Sequence, residues 1–253
     1  GKDGMPLPVG YSYYRAHCVP GTTEVLTQQG WMRLDAWQGG KIAQVHPDQR
    51  IEFLEAEKYE GPVETDWLQI SAPYLTCDFT LGHSVPYFTQ KGRRWTAEKA
   101  GHLVARGAFD VPLGGQLVRD GTITADQMRV LIMVQADGSF ETDSAVGRRM
   151  CVFVKKSRKI ERARQLLLAA GVPFKEQTYP SHPGFVRFIV RHEDYPAWLT
   201  PERKFFGPWL LDSTPEARAA FFDELQHWDG YLNHAGGLTY STSDEVNAEW
   251  ATT

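Results

Sequence analysis

Two aspartates stand where a helix does not favour them. Asp137 closes the run VLIMVQADG, and Asp229 closes FDELQHWDG. The exposed carbonyls at a helix C-terminus favour cations by ~0.3–1 kcal/mol, so a carboxylate there is electrostatically misplaced. A single Asp-Gly is most simply a turn. Two, each ending an apolar helix, carry a second reading. If the helices pack side by side as pseudo-symmetric partners, both carboxylates meet at one end of the interface. Like charges that close repel unless a cation sits between them, which implies a bound divalent metal. Oxygen ligands with open water positions suit Mg²⁺, and Mg²⁺ beside phosphates suits phosphodiester hydrolysis.

Three further residues have chemistry of their own. Cys18 opens CVPGTTEVLTQQGW, and about sixty residues later Thr80 and His83 form a T-x-x-H in TCDFTLGHSVPYF. Taken singly, a cysteine before a turn and strand is a buried small hydrophobe more often than a nucleophile. A lone loop histidine is ordinarily just exposed. With Cys77 and Cys151 the cysteines number three, too few and too scattered for a disulfide framework or a zinc site with paired ligands. A lone reactive thiol stays open.

The elements that must hold these residues change character along the chain. Residues 1–17 show no period and read as a flanking segment. From Cys18 to about Gly115 the stretches TEVLTQQGWMRL, KIAQVHP, IEFLEAEKY, DWLQISA, CDFTLG and HSVPYFTQKG are short and β-like, which predicts a β-rich first domain. GGQLVRDG reads as the boundary. Beyond it, Thr124 and Gln127 fit a capping box, predicting a helix from about Ala125 to Ala136 closed by Gly138. SFETDS and RRMCVFVKK read as strands, KIERARQLLLAAG as a helix ended by Gly171, and PFKEQTYP and FVRFIVRH as strands. A further helix starts at Thr214 and Pro215 and runs toward Asp-Gly again. One unit is thus repeated: capped helix, apolar run, Asp-Gly, aromatic-bearing strand.

The totals bound what this can be. At 253 residues the chain holds one large domain or two ordinary ones, and 42% hydrophobic with 23% charged is a soluble globular composition. No apolar run approaches the ~20 residues of a membrane span, and the start is no secretory signal, which predicts an intracellular, cytoplasmic protein without membrane contact. A net charge of −4 excludes a surface given over wholly to nucleic acid. Yet RRMCVFVKKSRKIERAR, from Arg148 to Arg164, holds eight basic residues against one acid, Glu161. It is either a solvated surface or a phosphate-contacting face.

With their caps and following strands, VLIMVQADG and FDELQHWDG resemble the two signature helices of LAGLIDADG homing endonucleases, over roughly residues 116–253. The resemblance implies a pseudo-twofold αββαββα fold and a site-specific, Mg²⁺-dependent endonuclease acting on double-stranded DNA. Asp137 and Asp229 would be its catalytic metal ligands. The strands around Phe140 and Arg148 to Lys156 would face the DNA, and a third catalytic group, often a lysine, would fall on Lys155 or Lys156. Three residues depart from the family's pattern. Ile132 and Glu224 take places usually given to small residues, and Trp228 replaces the small residue before the second acid. Such bulk is expected to push the acids apart and to weaken or abolish cleavage. Only 24 residues follow Asp229, which leads us to expect an incomplete second half.

The opening segment and the T-x-x-H together resemble the start of an intein, the Hint-type self-splicing domain, which often carries a LAGLIDADG endonuclease. The match rests on Cys18, Thr22 or Thr23, Val25, Thr27, Gly30 and the tryptophan after it, with Thr80 and His83 at ordinary spacing. The fold expected is therefore a β-rich, incomplete Hint-type segment over 18–115 followed by the α/β endonuclease domain. By this resemblance residues 1–17 end a host extein. The Cys18 thiol attacks the His17 carbonyl to give a thioester, His83 protonates the departing amide nitrogen, and Thr80 polarises the scissile peptide. Splicing needs no cofactor. The closing His-Asn is not reached, so a truncated chain or a separate C-terminal intein fragment is expected. The alternative is a DNA-binding LAGLIDADG module that has lost cleavage and splicing. A free-standing nuclease with a β extension is a third reading, against which the position of Cys18 counts.

Overall fold

The computed structural model describes residues 19–46, 48–60, 67–72, 75–89, 95–107, 109–111, 114–143, 147–234 and 237–252. Cys18 and the flanking residues 1–17 lie outside them. The chain is mixed α/β and divides into two compact units, Gly1–Val118 and Arg119–Thr253.

In the first unit short alternating runs become strands: β1 (Glu24–Thr27), β2 (Gly30–Arg33), β3 (Gly40–Val45), β4 (Arg50–Ala56), β5 (Trp67–Ala72), β6 (Leu75–Thr80), β7 (Ser84–Phe88) and β8 (Trp95–Lys99). Helix α1 (Ala100–Val104) and strand β9 (Gln116–Leu117) follow. One sheet has the order β2-β1-β3-β4-β9, antiparallel except for the β4–β9 pair, and β5–β6 and β7–β8 are separate hairpins. Along β7 every second residue turns inward, so Val85 and Tyr87 join Ala100 and Leu103 in a core. Leu68, Ile70 and Phe79 pack against it.

The second unit runs α2 (Ala125–Asp137), β10 (Gly138–Asp143), β11 (Gly147–Val154), α3 (Ser157–Ala169), β12 (Lys175–Thr178), β13 (Val186–Arg191) and α4 (Pro215–Leu225). A hairpin, β14 (Gly230–Leu232) with β15 (Leu238–Tyr240), and helix α5 (Glu245–Thr252) come after α4. Its main sheet is antiparallel in the order β10-β11-β13-β12. The register sets Met150 beside Val190 and Val152 beside Phe188, all four fully buried.

Helices α2 and α4 begin as the sequence dictates. The Thr124 hydroxyl accepts the Gln127 amide N–H, and the Gln127 side chain accepts the Thr124 N–H at 3.0 Å, closing the capping box. Thr214 caps α4 by accepting the Ala217 N–H at 3.1 Å, with Pro215 in the first turn. Helix α2 buries Met128 and every residue from Val130 to Val134. It is apolar around much of its circumference and therefore central. Helix α4 does not reach Asp229 as its pattern predicts. It ends at Leu225, and tighter turns, with His227 N–H on Glu224 O and Trp228 N–H on Leu225 O, carry the chain on to the acid.

Candidate active site

Helices α2 and α4 pack against one another, and the segments that lead into them are tied reciprocally. Ile123 and Ser213 form a parallel bridge. The Ile123 N–H donates to Asp212 O at 3.0 Å, and the Thr214 N–H donates to Ile123 O at 3.0 Å. Two helices that start on one parallel bridge point the same way. Asp137 and Asp229 therefore arrive at the same end of the pair.

The glycine after each acid is dictated by sterics. A methyl group on Gly138 would lie 2.6 Å from Val134 O, and one on Gly230 would lie 2.7 Å from Leu225 O. In both places the chain folds back against the last turn of the preceding helix, and only glycine leaves room. The two ends are thus built alike.

Two lysines meet the acids. Lys159, in the first turn of α3, donates to Asp137 Oδ2 at 2.5 Å and lies 5.1 Å from the centre of the Trp228 ring. Lys204, from the 3-10 turn Pro201–Lys204, donates to Gly138 O at 2.7 Å and to Val134 O and Gln135 O at 3.3 Å each. It supplies the cation that a helix C-terminus wants. Burial pushes the Lys204 ammonium below its ordinary range, while the charges of Asp137 and Asp229 oppose that shift. Burial likewise pushes the Asp229 carboxyl up; Lys159 and Lys204 pull it down, and Asp137 adds to the rise. The four groups form one electrostatic cluster, two carboxylates against two ammoniums.

Two of the bulky residues at the helix contact, Glu224 and Trp228, have partners of their own. Glu224 is fully buried, and its carboxylate accepts from Arg162 Nε at 3.0 Å, from a second Arg162 nitrogen, and from Trp228 Nε1 at 2.8 Å. Arg129 stands 3.7 Å from the same carboxylate. Glu224 and Trp228 therefore brace one another, and α3 grips them with Arg162 and Lys159. Ile132 is simply buried.

Lys155 and Lys156, where the resemblance put a third catalytic group, have these places in the structure. The Lys155 ammonium lies 5.3 Å from the centre of the Phe185 ring, and Lys156 is the N-cap residue of α3. The lysines at the acids, Lys159 and Lys204, are 22 and 67 positions from Asp137 and carry no local signal. The fourfold spacing of Glu224 and Trp228 on one side, facing the threefold spacing of Lys159 and Arg162 on the other, is the pattern that points to Lys159.

The donors at the acids are hard carboxylate oxygens, which suit a hard cation that keeps most of its water. Among the described residues no third His, Cys, Asp or Glu gathers with them. Two carboxylates fit Mg²⁺ beside phosphate once Lys159 releases Asp137 Oδ2.

In the first unit, Thr80 and His83 bracket the turn between β6 and β7, with the His83 N–H on Thr80 O at 2.9 Å. The His83 ring lies tilted against Phe79 with centroids 4.5 Å apart. The Thr80 hydroxyl is buried and meets no hydrogen-bond partner among the described residues. The third member of this set, Cys18, lies outside them.

Compared with known proteins, the chain matches no protein-family model and no curated protein sequence. No helix among the described residues is long and apolar enough to cross a membrane.

Proposed function

We propose that the second unit is a Mg²⁺-dependent, site-specific endonuclease for double-stranded DNA, of the LAGLIDADG type. The observation that carries this reading is the pair α2 and α4, started on one reciprocal bridge and leading to two acids that share a cluster with two ammoniums. Asp137 and Asp229 would hold the cation. When bound, Mg²⁺ would supply Lewis-acid charge at a phosphodiester oxygen. Lys204, anchored on the carbonyls at the end of α2, keeps an ammonium beside that position. The charge of its Nζ would offset the negative charge that grows on the phosphate as a water oxygen bonds to phosphorus and the bond to the sugar oxygen breaks, the proton lost by the water passing through solvent to that leaving oxygen. The test is incubation with a randomised duplex DNA library and Mg²⁺, with the cut ends sequenced. Cutting at a defined sequence is expected, and Asp137→Asn and Asp229→Asn should each abolish it. Specific cutting that survives Asp137→Asn would sink the role assigned to that acid. Salt-sensitive binding without any cutting would favour the alternative, a DNA-binding module that has lost cleavage.

For the first unit we infer an intein-type splicing segment of the Hint class, flanked by the extein residues 1–17. The buried Thr80 hydroxyl supports it, because a buried polar group without a partner among the described residues costs ~1–3 kcal/mol unless some other group meets it. The peptide between His17 and Cys18 is the group the mechanism would bring there. The Cys18 thiol then loses its proton to solvent, its sulfur bonds to the His17 carbonyl carbon, the C–N bond breaks, and His83 delivers a proton to the leaving nitrogen. Treatment with a small thiol should release residues 1–17, detected by mass spectrometry, and Cys18→Ala should stop the release. If the fragment also appears from Cys18→Ala, the thioester route is wrong.

A further inference from the structure

Lys159 stands where an incoming cation would have to bind. Its ammonium is 2.5 Å from Asp137 Oδ2, and its side chain is only 13% exposed. The geometry is imposed from both sides along α3. Arg158 donates to His227 O at 2.7 Å, and Arg162 holds the buried Glu224. The helix turn between these anchors sets Lys159 between Asp137 and the Trp228 that precedes Asp229.

The two lysines at the acids differ in what holds them. Lys204 donates to three backbone carbonyls and needs no carboxylate for its place. Lys159 holds the carboxylate oxygen itself, and the face of Trp228 gives its ammonium a second seat. With both ammoniums present, the charges of the cluster sum to zero. A divalent cation then meets a neutral cluster rather than two free negative charges.

We propose that Lys159 is a built-in competitor that sets the metal affinity of the Asp137–Asp229 pair. The metal enters by displacing the Lys159 ammonium from Asp137 Oδ2 toward the Trp228 ring. This rests on the reading of the two acids as a divalent-cation site. The bulk at Trp228 is then part of the device, since it gives the released ammonium somewhere to go.

The test is calorimetric titration of the full chain with MgCl₂ alone, at fixed ionic strength. Lys159→Met, which keeps the stem and removes the charge, should bind about tenfold or more tightly than the unaltered protein. Lys159→Arg should stay weak, and Asp137→Asn with Asp229→Asn should bind nothing. Lys159→Gln repeats the measurement with a hydrogen-bond donor retained, should the Met variant lose its circular-dichroism signature. Acid-dependent binding of unchanged strength in both neutral variants overturns the competition alone. Absence of acid-dependent binding in every variant overturns the metal reading and the competition with it.

Discussion

Ionising Asp229 works against the fold. Its carboxyl sits half-buried beside a second acid, and burial with the Asp137 charge outweighs the pull of Lys159 and Lys204. The folded chain therefore holds the Asp229 proton more firmly than the unfolded one. A raised acid contributes stability below the ordinary aspartate range near pH ~4, and that contribution is lost as pH rises through the folded value. Asp229→Asn, which cannot ionise, should accordingly be more stable than the unaltered protein at neutral pH. The gap should close on acidification toward pH ~4, where Asp229 is itself protonated. Thermal unfolding of both proteins across that range measures it. A neutral-pH loss of stability that does not change with pH would mean that the acid is held for structure. Glu224 is the contrast. A carboxylate without exposure is tolerated because Arg162 grips it from one side and the Trp228 indole donates from the other. Removing Arg162 would take two of the three hydrogen bonds described here from a buried carboxylate.

At the scale of elements, legibility followed the range of the interactions. The starts of α2 and α4 are written in residues three apart, Thr124 with Gln127 and Thr214 with Ala217, so they could be read directly. The alternation of SVPYF gives the buried face of β7, and Pro86 fits there because β7 pairs only with β8 among the described strands. The end of α4 could not be read. FDELQHWDG keeps a helical texture as far as the acid, but the stop at Leu225 comes from Gly230 folding back onto Leu225 O and from Trp228 turning its indole to Glu224. Lys159 and Lys204 were hidden for the same reason. Lys159 looks like one member of a basic run, and Lys204 lies in a 3-10 turn without any period. Their roles exist only once α3 and that turn are brought against the ends of α2 and α4. Glu224 and Trp228 looked like isolated faults in a close helix contact because their partners, Arg162 and Lys159, belong to another helix.

Over the whole molecule, a net charge of −4 means that any attraction for DNA must be local. The run from Arg148 to Arg164 contributes less than its eight cations promise. Arg149 pairs with Glu141, Lys159 with Asp137, Arg162 with Glu224, and Arg164 with Glu161 and Glu176. Arg158 is spent on a carbonyl, and Lys155 lies over Phe185. Charges already neutralised inside the fold release few counterions from DNA. The four-stranded sheet offers better candidates. Its register puts Arg191 beside Arg149 and Lys175 beside Ile189, so that Arg191 and Lys175 share one face, and both are exposed. The ion pair of Arg191 with Glu193, at 3.6 Å, is itself exposed and weak. If duplex DNA lies on that face, Arg191→Ala and Lys175→Ala should each reduce the slope of log affinity against log salt by about 0.9, alike for all sequences. Arg164→Ala should leave the slope unchanged. Fluorescence anisotropy of a labelled duplex between ~50 and ~200 mM salt resolves the difference. A slope that responds to Arg164 and ignores Arg191 and Lys175 would move the phosphates off the sheet and onto α3.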